Sequence, residues 1–309
     1  GLVVNEYNGI HSGTISYTLI SSVTGQLIAP HSGNTSKTRN AVLIDKVNAI
    51  NVGQTNTGGS PFSTWGGVKV TNAYNGITIT NSNVIVKNSI FENCFGTSPT
   101  VNIFTEGIGI LSTSNDGTIH TLSVEGTNQF SKSTFTECNI GVLSIGDVDF
   151  FVKGNDFTST LKIAGLITFG NSSDIQIQNN KMNFAGTLAG IYLWNVPSAL
   201  ALVSNNQINY GAGTAGGNTV GIAAENFGGI SSNLTIFNNQ IKNCFTGVYI
   251  NNIPTAKINN NLVTVYVTQP VVANSSIDLT GINVMNSVDV EVKNNNVRRF
   301  LGIPNSDQN

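Results

Sequence analysis

Charge is scarce in this chain of 309 residues. Asp, Glu, Lys and Arg together make up 10% of it, against roughly a quarter of an average soluble domain. Arginine occurs only as Arg39, Arg298 and Arg299. The formal net charge is −2 and no basic run exists. Phosphate backbones demand clustered Lys and Arg, so nucleic acid is not an expected partner. No apolar run approaches the ~18 residues of a membrane helix. No capped helical stretch stands out. His11, His31 and His120 share no metal-ligand spacing, and neither a metal nor a cofactor is expected.

What fills the chain is Asn, Ser, Thr and 33 Gly, with 39% hydrophobic residues spread along its whole length. That spread is enough to bury a core, so low charge here does not mean disorder. Few lysines and many neutral polar residues suit an extracellular or cell-surface protein. Residue 1 is Gly, and the expectation is a mature or excised fragment whose export signal lies elsewhere.

A repeat organises the chain. Gly followed by an apolar residue recurs at Gly76, Gly109, Gly141, Gly165, Gly190, Gly221, Gly247 and Gly281, at spacings of 33, 32, 24, 25, 31, 26 and 34. A second mark is Asn-Asn, one residue, then an apolar residue: Asn179-Asn180 to Met182, Asn205-Asn206 to Ile208, Asn238-Asn239 to Ile241, Asn260-Asn261 to Val263, Asn294-Asn295 to Val297. Weaker versions run from Asn88-Ser89 to Phe91, from Gly154-Asn155 to Phe157, and from Asn128 to Phe130. An alternating strand such as Ile175-Gln176-Ile177 precedes the mark, which places every second side chain inward. Asn suits a sharp bend because it tolerates left-handed backbone. Stacked in successive units, its amides can also bond one another. The expected ladder is Asn88, Asn155, Asn180, Asn206, Asn239, Asn261 and Asn295.

These units resemble those of the parallel β-helix repeat, or pectin-lyase-like, superfamily over about residues 68–300. The resemblance implies an all-β, right-handed parallel β-helix solenoid of about 8–10 coils. The organisation expected is an irregular N-terminal cap or hairpin at 1–40, the β-helix at 41–300, and a C-terminal tail at 301–309. It also implies two enzyme chemistries to look for. Lyases of this type bind calcium through several carboxylates and use Arg or Lys as base; hydrolases cluster Asp on the first sheet.

The carboxylates for either are thin. The outward positions after each Gly provide one, Glu225. Asp147 and Asp149 follow the first sheet, but Asp149 belongs to a turn column with Asn83, Asp174, Asn233 and Asp289. No catalytic residue is assigned. The same outward positions hold aromatic rings at Phe169, Tyr192, Trp194 and Tyr249. With Glu225 they make a candidate glycan-binding stripe, since flat rings match the C–H faces of sugars. The alternative is that loops at Gly96–Glu106, Tyr210–Val220 and Thr264–Thr280 cover the stripe. The three cysteines, Cys94, Cys138 and Cys244, are expected at one coil position, reduced and buried. Sequons at Asn34, Asn171, Asn233 and Asn274 carry little weight in a chain this rich in Asn, Ser and Thr.

The expected function is a surface-displayed structural or adhesive module, with a polysaccharide or glycan, self-association end to end, or a following domain as partner. A polysaccharide lyase or glycoside hydrolase is the alternative.

Overall fold

A computed structural model of the chain describes residues 2–5, 12–15, 18–21, 38–47, 49–53, 68–94, 106–126, 131–158, 163–170, 174–184, 188–196, 200–211, 219–227, 233–267 and 279–301. Every regular element among them is a β-strand. The strands form three sheets of ten, and each sheet takes every third strand in chain order. All pairings are parallel. Each coil thus lays one strand in each sheet and climbs one step, which is a right-handed parallel β-helix.

The Gly-apolar mark sets the first sheet. Ile77, Ile110, Val142, Leu166, Ile191, Ile222, Val248 and Ile282 stand in one register column. All but Ile282 are buried. The glycine before each faces inward with no space for a side chain. A Cβ on Gly141 would lie 2.6 Å from both the Gly165 carbonyl oxygen and the Phe157 ring.

The second mark sets the third sheet. Phe91, Phe135, Phe157, Met182, Ile208, Ile241, Val263 and Val297 form a single inward column. Its three phenylalanines stack at 5.0 and 4.7 Å between ring centroids. Phe135, rather than Phe130, supplies the fourth-coil ring; Asn128 and Phe130 lie outside the described residues.

The doublet divides its work between two residues. The first Asn adopts left-handed backbone, with φ of 57° at Asn179 and Asn205, 53° at Asn238, 58° at Asn260 and 55° at Asn294. The second points inward and builds the ladder. Asn155 Oδ1 accepts the Ser133 N–H, Asn180 Oδ1 that of Asn155, and so on through Asn206, Asn239, Asn261 and Asn295. Each Nδ2 also donates to a carbonyl of the preceding coil, as Asn206 does to Ile177. Burial requires such pairing, because an amide without partners in the core costs several kcal/mol.

One expectation is corrected here. Asn88 is not a ladder residue: it holds the left-handed position, φ 46°. The ladder continues through hydroxyls instead, from Ser133 to Ser89 to the Val68 N–H. The cap or hairpin expected at 1–40 falls largely on residues 6–11, 16–17 and 22–37, which lie outside the described residues. Leu2–Asn5, Ser12–Ile15 and Thr18–Ser21 each pair in parallel with the next coil, so these strands already wind a turn of the helix. Thr38–Asp45 and Ala49–Val52 continue as regular rungs. Residues 302–309, most of the expected tail, lie outside the described residues.

Candidate functional site

The outer face of the first sheet carries three register columns. The column after the mark runs Thr78, Leu111, Leu143, Ile167, Tyr192, Ala223, Tyr249, Asn283. Two residues on runs Thr80, Thr113, Ile145, Phe169, Trp194, Glu225, Asn251, Met285. One residue before each glycine comes Ile108, Ile140, Ala164, Ala189, Val220, Thr246 and Thr280.

Leu111, Leu143 and Ile167 point away from the core and are nevertheless buried. With Ile108, Ile140 and Ala164 they form a second apolar cluster, separate from the core inside the coils. Phe169 and Tyr192 pack against its edge. The expected covering loops fall largely outside the described residues, at 95–105, 212–218 and 268–278.

Where this cluster ends, the face opens into a groove of about 610 Å³. Alanines at 164, 189 and 223 make the hollow, because short side chains there sit among longer ones. Ile163, Ile167, Leu188 and Val220 add apolar lining, and Tyr192, Tyr249, Thr246 and Glu225 provide the polar atoms. Tyr192 and Tyr249 occupy one column with Ala223 between them, so they stand two rungs apart, roughly 10 Å at ~4.8 Å per rung.

The Tyr192 hydroxyl donates to Glu225 Oε1 at 3.1 Å. Burial raises the Tyr192 pKa to about 12, with the Glu225 charge and that hydrogen bond adding to it, and Tyr249 contributing last. The phenol is therefore protonated at neutral pH and holds the carboxylate in place. Of the expected stripe, Tyr192, Tyr249 and Glu225 line the groove. Phe169 and Trp194 continue the Glu225 column, their rings tilted against each other at 5.6 Å. Trp194 is 37% exposed. The residues that sequence reasoning missed are those one position before each glycine, Ala164 and Ala189 above all. Strict alternation hid them: each lies two residues before an inward apolar residue and so reads as inward, and the glycine between breaks the period.

The other candidates do structural work. Asp149 Oδ1 accepts the Asp174 N–H at 2.9 Å in the turn column. The Asp147 carbonyl accepts the His120 N–H, and the His120 ring sits 3.0 Å from Asp116. His11, His31, Asn34, Asn171 and Asn274 lie outside the described residues. Among the described residues no group of three His, Cys, Asp or Glu is placed to hold a metal, and no helix is long and apolar enough to cross a membrane. Cys94, Cys138 and Cys244 are free and buried. Burial pushes the Cys244 thiol up to about 12. It raises Cys138 as well, assisted by a hydrogen bond with Cys94 in the adjacent coil.

Fold and face together define a right-handed parallel β-helix with a tyrosine-flanked groove on its first sheet. Among solved structures, the chain is similar to the periplasmic alginate epimerase AlgG at 11% identity and a TM-score of 0.36, covering 85% of this chain and 73% of that one. A single-substitution mutant of AlgG matches at 12% and 0.38, covering 85% and 70%. A second such mutant matches at 12% and 0.34, covering 84% and 77%. No protein-family model and no curated protein sequence matches the chain.

Proposed function

We propose that this protein handles polysaccharide, holding a saccharide in the groove of its first sheet. The observation that carries the reading is the placement of Tyr192, Tyr249 and Glu225 around an alanine-floored hollow. Rings give apolar faces to sugar C–H groups, and the carboxylate and hydroxyls give hydrogen-bond partners. The volume falls within the ~300–1,000 Å³ of small-ligand sites. An extracellular or envelope setting goes with such a partner. A surface-adhesive role is then the consequence of glycan binding. Self-association has no observation among the described residues that favours a second copy as partner.

Processing of the polysaccharide, as a lyase or hydrolase, is the second reading. The Tyr192–Glu225 hydrogen bond favours it, because it sets a proton-bearing group and a carboxylate side by side. A hydrolase needs a second carboxylate, and the described lining has one. The test is a panel of acidic and neutral polysaccharides scored for binding and for new reducing or unsaturated ends. Tyr192→Ala and Tyr249→Ala should each weaken binding about tenfold, the loss of roughly one aromatic contact. Failure of every polysaccharide to bind would sink the proposal. Turnover abolished by Glu225→Gln would promote the second reading.

A further inference from the structure

We infer that the saccharide of this groove is uncharged and bears methyl groups, as deoxyhexoses and O-acetylated or methyl-esterified sugars do, and is not a polyuronate. The inference rests on the reading above that the groove takes a saccharide.

The charge of the lining points this way. Among the described lining residues Glu225 is the one carboxylate, and none is Lys, Arg or His. A polyuronate carries a carboxylate on every residue, so a chain laid along the groove brings one against Glu225. The apolar wall displaces the water that would screen the two, and the described lining has no cation to pair with either.

The shape of the floor points the same way. Ala164 and Ala189 stand in one column and Ala223 in the next, and Ile163, Leu188 and Val220 complete the apolar lining. An alkyl substituent fills such a hollow with gain. A hydroxyl there loses water partners and finds none in return. The polar atoms lie beside it, with Thr246 two rungs beyond Ala189 in the same column and Tyr192, Tyr249 and Glu225 in the adjoining ones. Glu225 takes the Tyr192 hydroxyl on Oε1, and an ionised carboxylate has about four acceptor sites, so it can also receive a sugar hydroxyl. The ligand is thus two-sided, with hydroxyls toward Glu225 and alkyl groups toward the alanines.

Matched probes test this on the full chain by titration calorimetry. One pair is hexagalacturonate and its fully methyl-esterified form. The other is mannohexaose with and without O-acetyl groups. The ester should bind at least about tenfold tighter than the acid, in line with the ~10–200-fold worth of a methylene in an apolar pocket, and the acetylated mannan several-fold tighter than the bare one. Glu225→Gln should improve binding of the acid and narrow the first gap while leaving the second. Tyr192→Ala, checked by circular dichroism for an unchanged fold, should weaken whichever probes bind and so place them in this groove. Equal or tighter binding of the acid overturns the inference and leaves saccharide binding standing. No effect of acetylation overturns its methyl half. Binding of none of the probes overturns the inference and counts against the underlying reading as well.

Discussion

Asn239 Oδ1 lies 3.0 Å from both the backbone nitrogen and the side-chain nitrogen of Asn206. One buried oxygen thus ties a neighbouring coil twice. The Asn206 side chain repeats this toward Asn180 and donates to the Ile177 carbonyl. The ladder is a chain in which every member serves the coil before it.

Asn206→Ala leaves the Asn180 N–H and the Ile177 carbonyl short of a buried partner. At ~1–3 kcal/mol for each unsatisfied group, the expected loss is about 2–5 kcal/mol in urea unfolding. Asn205→Gly, one residue earlier at φ 57°, should stay within about 1 kcal/mol, since glycine accepts that backbone freely. Similar costs at both positions would contradict the division of roles.

The glycine column yields a steric prediction. Gly141→Ala drives a methyl into Phe157 and the Gly165 carbonyl. Overpacking of this kind costs roughly 1–3 kcal/mol. The midpoint of unfolding should fall with little change in slope. A neutral result would mean that adjacent coils can part without penalty.

The thiols should be inert. Cys94, Cys138 and Cys244 are fully buried, and the raised pKa of Cys138 and Cys244 keeps them as thiols. Mass spectrometry after alkylation without reductant should find them modified only once the protein is unfolded. Rapid alkylation of the native protein, or a native disulfide between any two, would refute this.

The winding was legible because it is written in repeated short-range marks. A glycine that must meet the next coil's backbone and an amide that must bond its neighbour leave the same residue types at the same places. Asn88 was misassigned because Ser89 does the ladder's work with a hydroxyl, so the doublet pattern broke while the geometry held. The N-terminal coil escaped notice because strands such as Leu2–Asn5 and Ser12–Ile15 are too short for periodicity to speak. The groove was half visible. Its rings follow the glycines and were counted, whereas Ala164 and Ala189 precede theirs, where an alanine looks like filler. Its depth arises from contrast in size between coils, which no single unit displays.

Tyr192 gives a pH prediction. Its folded pKa of about 12 is raised from 10, so the folded state keeps a proton that the unfolded chain loses. That contribution to stability is intact below pH ~10 and declines as pH rises from there through 12. Glu225→Gln removes the nearby charge and should lower the Tyr192 pKa, though burial, the largest cause, keeps it above 10. Carbon NMR of the Tyr192 ring carbon bearing the hydroxyl follows this directly. An unchanged titration in the variant would separate Tyr192 from Glu225 in solution.

The final coil provides the last prediction. Val297 belongs to the same inward column as Val263, yet it is 47% exposed where Val263 is fully buried. Val284 and Val292 are open in the same way, at 39% and 47%, beside the buried Ile250 and Ile258. Position in the stack, not residue type, makes the difference, because among the described residues this coil has a neighbour on one side only. A solenoid draws stability from nearest neighbours, so the two valines should respond differently to one substitution. Val263→Lys buries a charge without a partner and should cost more than about 4 kcal/mol or prevent folding. Val297→Lys can turn its ammonium to water along a flexible stem and should cost about 1 kcal/mol or less. Urea unfolding of both variants makes the comparison. A severe loss at Val297 would mean that the apolar end is covered in solution, and light scattering at several concentrations then identifies the cover. A mass that rises with concentration and falls back in Val297→Lys points to a second copy stacked on the end. A constant mass points to other residues of the same chain.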